Sequence, residues 1–264
     1  AGRGRIEHLS PFGTHSRIAD RRAFAALMAH LRENDSQRTT IMVQVENECG
    51  LLGDARDRSA LADAAWASPV PKAVVDAVAA ASSTMPGHAA WVDQGRREDG
   101  TWQELFGESD VSEELFMAYA YADYIESTAA AGRAEHDVPL FVNAWLDTAH
   151  GAEGSGLTAT MAGGVKPGIY PSGGPVLRVA PIWRGVATTI DLLAPDVYLG
   201  DFRTICDGYR AASGTLFIPE MRRSKEGLAQ MMLAIGELGA IGASPFGVDS
   251  LVQGEPAWLR LKDG

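Results

Sequence analysis

The chain has 264 residues, 46% of them apolar and 22% charged, which is enough for one large domain with a substantial core or for two small ones. Acidic residues outnumber basic ones 34 to 23, for a net charge of −11; this excludes duplex nucleic acid as the main partner, because phosphate binding needs a basic face. No apolar run approaches the roughly 18 residues of a membrane span, and the two cysteines, Cys49 and Cys206, exclude a disulfide scaffold and a cysteine-rich zinc module.

The first expected helix covers residues 21–34, where Phe24, Leu27, Met28 and Leu31 fall at helical spacing behind Asp20 as cap. The run 39–45 (TTIMVQV) is short, apolar and β-branched, and reads as a buried strand that runs into Glu46-Asn47-Glu48. A polar, alanine-rich stretch follows, with a short helix near 71–81 and a loop through Trp91 and Trp102. Residues 112–131 form a strong helix opened by a capping box at Ser112 with Leu115 in the third place. PLFVN at 139–143 is a strand, 151–174 a long Gly/Pro-rich loop, and 176–189 a helix. The remaining elements are a strand over 190–198, a helix over 202–212, the strand 216–219 ending in Glu220, a helix over 227–238 and a last strand over 240–246.

Short apolar strands alternating with helices predict parallel pairing through βα units. A doubly wound sheet would carry a glycine-rich phosphate loop after an early strand, and neither GxGxxG nor a P-loop occurs. A (β/α)8 TIM barrel instead gathers polar residues at the carboxyl ends of several strands. Those ends here carry Glu46-Asn47-Glu48, then Asn143 with Trp145 and Asp147, then Tyr198, Glu220, and Ser244 with Asp249. Five strands are expected where a barrel has eight. The chain is therefore read as strands 4 to 8 of an α/β barrel, one partial-barrel unit over residues 1–264 with long insertions near 51–110 and 151–174, and with the first strands upstream of it.

Strand alternation would stack Gln44, Glu46 and Glu48 on one face. A buried line of Gln and Glu is costly unless paired or functional. Glu220 closes an apolar strand and precedes Arg222 and Arg223, either of which would pair with it in a purely structural reading. Two carboxylates at the ends of two strands of one barrel suit glycoside hydrolysis, where one protonates the leaving oxygen and the other attacks the anomeric carbon or activates water. Trp145 is a candidate stacking platform for a sugar, and Asn143 and Asp147 are candidates for bonding its hydroxyls, while Trp66, Trp91, Trp102, Trp183 and Trp258 read as packing residues. The six histidines show no metal-ligand spacing, so neither a metal nor a cofactor is expected, and the expected partner is a carbohydrate rather than a nucleic acid or a membrane.

The run Gln44-Val45-Glu46-Asn47-Glu48 resembles the QxENE signature of glycoside hydrolase family 35, the β-galactosidases, which belong to a clan of retaining barrels with Asn-Glu on strand 4 and Glu on strand 7. The wider runs IMVQVENECGLLGDARDRS, PLFVNAWLD, YPSGGPV, LLAPDVYL, LFIPE and SPFGVDS are similar to a bacterial subgroup that carries an extra C-terminal domain. The resemblance implies Glu48 as general acid/base, Glu220 as nucleophile, Asn47 on the sugar 2-hydroxyl and Tyr198 holding Glu220. It implies hydrolysis of terminal β-galactosides with retention. The alternatives are another retaining β-glycosidase of the clan, acting on β-glucosides, β-mannosides or arabinosides, or a carbohydrate-binding barrel without turnover. Cys49, directly after the acid, is expected to make activity sensitive to thiol reagents.

Overall fold

The computed structural model describes residues 8–147 and 166–247. Helix α1 (Thr14–Asn34) precedes β1 (Val43–Gln44). Four short helices follow, α2 (Ala60–Trp66), α3 (Lys72–Ala80), α4 (Pro86–Asp93) and α5 (Trp102–Phe106), and then the long α6 (Asp110–Glu135). The second half runs β2 (Leu140–Trp145), a 3-10 turn (Leu177–Val179) into α7 (Ala180–Val186), β3 (Leu192–Val197), α8 (Phe202–Ser213), β4 (Leu216–Met221), α9 (Lys225–Gly236) and β5 (Ala240–Pro245). Among the described residues no helix is long and apolar enough to cross a membrane.

The five strands pair in chain order, β1-β2-β3-β4-β5, all parallel. The protein is thus α/β, with a parallel sheet fed by helical crossovers, as the alternation of short apolar strands and helices predicts. Alternation divides each strand between two environments. Leu140, Val142 and Ala144 of β2, Leu193 and Val197 of β3, and Leu216 and Ile218 of β4 join the large core shared with the helices. Phe141, Leu192 and Ala194, with Met42 and Phe217 against them, form a second, smaller cluster on the opposite face.

Several elements differ from the sequence reading. Helix α1 starts seven residues early, at a Gly13 cap, and Asp20 lies inside it, accepting a hydrogen bond from the Tyr124 hydroxyl. Only Val43 and Gln44 of the expected first strand are ladder residues, since Asp35 draws the preceding chain into a turn through the backbone N–H groups of Thr39 and Thr40. Helix α6 is capped by Ser109, whose box partner is Ser112; Ser112 closes that box at the third helical position and does not open it. The stretch read as 176–189 is a 3-10 turn and a short helix that ends at Val186. The segment 51–110, read as one short helix and loop, holds four helices, of which α2 and α5 meet α6 through Trp66, Trp102 and Phe116. Of the loop read at 151–174, only residues from 166 onward are described, and Trp258 and Asp249 lie outside the described residues.

Candidate active site

The carboxyl ends of β1, β3 and β4 bring three carboxylates together. One oxygen each from Glu48, Asp196 and Glu220 lies within 4.8 Å of the others. Asp196 and Glu220 are direct partners across the β3–β4 ladder. Their shared face is not what simple alternation gives, because Leu216 and Ile218 of β4 point into the helical core and Glu220 follows at the same parity. The β4–β5 register slips between Ile218 and Met221, and Met221 takes the core-facing place instead. Pro219 sits in that irregularity; it has no N–H for the ladder. Such irregularities re-aim side chains beside functional sites, and here the slip turns Glu220 toward Asp196.

Glu48 reaches the cluster by a different device. Strand β1 has already ended, and Glu48 adopts φ +45°, the left-handed region that costs a non-glycine residue energy. The conformation is held at both ends. Its N–H donates to Asn143 Oδ1 at 2.8 Å, and the chain just beyond is clamped, since Leu51 and Ser172 exchange backbone hydrogen bonds of 3.0 and 2.8 Å. Gly50 (φ +147°) packs against Pro171 so closely that a Cβ there would lie 2.4 Å from the proline Cβ. The bend breaks the expected line of Gln44, Glu46 and Glu48. Glu46 turns toward Asp20 and Tyr124 of the helical layer, while Gln44 stays with the cluster, donating to Asn47 Oδ1 at 3.1 Å.

Asn143 is the hub. Its Oδ1 accepts from the Glu48 backbone, which fixes the orientation of the amide, and its Nδ2 donates to Asn47 Oδ1 at 3.0 Å and Asp196 Oδ2 at 2.7 Å. It is fully buried. Its hydrogen bonds go to Glu48, Asn47 and Asp196, so it positions those three residues. Asn47 is exposed and Trp145, two residues after Asn143 on the same face, is half-buried. Tyr198 donates to Glu220 Oε2 at 2.8 Å, as expected. Arg222 and Arg223 do not take the place foreseen for them beside Glu220. Arg223 donates to the Gly247 carbonyl at 2.7 Å, and the charge of Arg222 acts on Glu226.

The electrostatics follow from burial and like charge. Burial first, and the charge of Glu220, push the Glu48 carboxyl up, while its hydrogen bond with Asp196 pulls it down. Burial, then Glu220 and Glu48, push Asp196 up to about 9. Burial and the hydrogen bond to Glu220 push the Tyr198 phenol up, so it remains a donor. Burial and the charge of Glu46 push the Cys49 thiol up as well, which disfavours its thiolate. Three carboxylates would also suit a hard cation, which takes six or more oxygens. Here Tyr198 donates to Glu220 and Asn143 to Asp196, and burial with the charges of Glu220 and Glu48 raises the Asp196 carboxyl, so the cluster as it stands favours holding a proton.

Asp196 is the residue that sequence reasoning missed. It lies within the apolar run LLAPDVYL, where it reads as a strand interruption, yet it precedes Tyr198 by two residues, and alternation from Tyr198 would have placed it in the site. Phe246 was missed too. It is 62% exposed, edge-on to Tyr198 with ring centroids 6.5 Å apart. Compared with known proteins, the chain matches no family model and no curated sequence.

Proposed function

We propose that the protein is a retaining β-glycosidase, acting on terminal β-galactosides, and that its sheet is strands 4 to 8 of a (β/α)8 barrel. The observation that carries this reading is the approach of Glu48 and Glu220, whose nearest carboxylate oxygens lie within 4.8 Å. Retaining glycosidases hold their two carboxyl groups about 5–5.5 Å apart, and inverting ones about 6.5–9.5 Å, to leave room for a water. The barrel is supported by sequential strand order without reversal, which leaves no switch point of the doubly wound kind, and by a site confined to carboxyl ends of strands. Galactose as the sugar rests on the resemblance of QVENE to the family 35 signature.

In this reading Glu220, held through Oε2 by Tyr198, attacks the anomeric carbon with its other oxygen. Glu48 gives its proton to the glycosidic oxygen as that bond breaks, and the alcohol leaves. Loss of the Glu220 charge then lowers the Glu48 carboxyl, because that charge had helped to raise it. Glu48 takes a proton from water, the water oxygen bonds to the anomeric carbon, and Glu220 is released. Asn47 offers its amide to the sugar 2-hydroxyl, and Trp145 an apolar ring face.

The test is turnover of a panel of aryl β-glycosides by the intact protein, with Glu220→Ala as control. Turnover of the galactoside, abolished in the variant, is the expected result. Turnover of a glucoside, mannoside or arabinoside instead, abolished likewise, would keep the mechanism and replace the sugar. No turnover on any sugar by the folded protein would overturn the reading in favour of a binding role.

A further inference from the structure

Asp196 is 4% exposed, and its two oxygens are in unlike situations. Oδ2 accepts from Asn143 Nδ2, whereas Oδ1 is buried with no donor. A buried carboxylate oxygen without a donor is costly. Yet one oxygen of Asp196 lies within 4.8 Å of an oxygen of Glu48 and of Glu220, and carboxyl groups gathered this closely away from water are stable together only when a proton is held among them. Among the described residues, the groups facing Asp196 do not supply a cation in its place. They are Glu48 from the loop after β1, Asn143 and Trp145 from β2, Glu220 from β4, Tyr198 from its own strand, and Tyr209 from α8, with Asp147 acting on Tyr209 from beyond.

We propose that Asp196 is a positioning residue for the acid/base, sharing one proton with Glu48 so that the Glu48 carboxyl is both oriented and kept supplied for a leaving group. The catalytic part of this inference rests on the glycosidase reading; the sharing of the proton does not. Two carboxyl groups sharing a proton titrate as a pair, and the last proton leaves late because its loss sets like charges side by side. Burial of Asp196, and its rise to about 9, agree with a pair that stays protonated at neutral pH.

Asp196→Asn keeps the shape, removes the like charge and puts an amide donor against Glu48. Glu48 then ionises more easily. The alkaline limb of kcat/KM, which reports the acid of the free enzyme, is expected to move down by at least about one pH unit. The loss at neutral pH is expected on phenyl glycosides, which need an acid, and not on dinitrophenyl glycosides, which do not. A merely structural role would depress both substrates alike and leave the limb in place, and that outcome overturns the proposal. The second measurement needs no turnover. Infrared titration of the wild-type protein is expected to show the carbonyl stretch of a buried protonated carboxyl at about pH 8, above the range where the other strongly raised carboxyl, Glu114 at about 7, has ionised. The band is expected to vanish in Asp196→Asn. Its absence from the wild-type protein at that pH would overturn the proton sharing, whereas its presence without turnover of any glycoside would leave the sharing standing and remove only the catalytic reading.

Discussion

Phe246 shows how much one side chain at the rim of the cluster can report. It exposes 62% of its surface, so it contributes little to the core, and its ring stands edge-on to Tyr198, the residue that holds Glu220. An exposed apolar ring beside a carboxylate suits the C–H face of a sugar. Phe246→Ala is expected to raise KM for the aryl glycoside about three- to tenfold, or ~0.6–1.4 kcal/mol of lost ring contact, with kcat and thermal stability nearly unchanged. Steady-state kinetics decide this; a fall in kcat at constant KM would instead assign Phe246 to supporting Tyr198. Cys49 gives the opposite kind of prediction. Its thiol is kept protonated by burial and by Glu46, so a thiol reagent is expected to leave activity unchanged. Rapid inactivation, prevented by a bound sugar, would put the thiol back beside the ligand.

At the level of elements, the site depends on a clamp between the loop after β1 and the segment leading into α7. Beyond the Leu51–Ser172 pair, Gly53 donates to the Gly168 carbonyl at 2.8 Å and Ser172 Oγ to the Ala55 carbonyl at 2.5 Å. The clamp is anchored to α6 by a buried group. Glu114 accepts from the Tyr170 hydroxyl at 2.6 Å and pairs with Arg178 at 3.0 Å. Tyr170→Phe leaves one buried carboxylate oxygen without its donor and is expected to cost about 1–3 kcal/mol in denaturant unfolding. Gly173 has φ +79° and backs onto α6, where a Cβ would lie 2.4 Å from the Met117 carbonyl carbon. Gly173→Ala is expected to lose about 1–3 kcal/mol and, under the proposed function, to lower activity through Glu48; wild-type activity in a folded Gly173→Ala protein would show that the clamp does not fix Glu48. These contacts explain what could be read ahead of the structure. Glu48, Tyr198 and Glu220 were legible because each ends an apolar run, and the five strands because each run is too short for a helix. The face on which Glu220 lies was not, since it depends on the slip at Pro219. The left-handed turn at Glu48 was not, since it is imposed by Asn143 and by the clamp. Both are tertiary effects that override alternation.

For the whole molecule, two buried acids make stability depend on pH in an unusual direction. Asp196 is raised to about 9 and Glu114 to about 7, both above the values of an unfolded chain. Between those unfolded values and the folded ones, the folded form binds more protons than the unfolded form. Stability is therefore greatest below the unfolded values and falls as pH rises through the folded ones. The melting temperature is expected to drop from about pH 5 to pH 9, and to drop less in Asp196→Asn; parallel curves for the two proteins would count against the raised value at Asp196. The sheet also has outer members at β1 and β5, with Ile241, Met232 and Ile235 exposed at the β5 side. Unpaired strands beside exposed apolar groups promote pairing between chains. The protein is expected to self-associate in sedimentation, and a monomer with a cooperative melt would show that these edges and apolar groups are covered.

The clamp has a last consequence, in time rather than space. Ser172 and Ala55 stand 117 positions apart in the chain. At a synthesis rate of about 5–20 residues per second, the ribosome adds Ser172 roughly 6–23 s after Ala55. Through that interval Glu48 exists without the segment that fixes its turn, and Asp196 and Glu220 are added later still. The cluster thus forms only after Glu220 has been added, and a nascent chain interrupted before Ser172 carries Glu46-Asn47-Glu48 without the clamp that fixes the Glu48 turn.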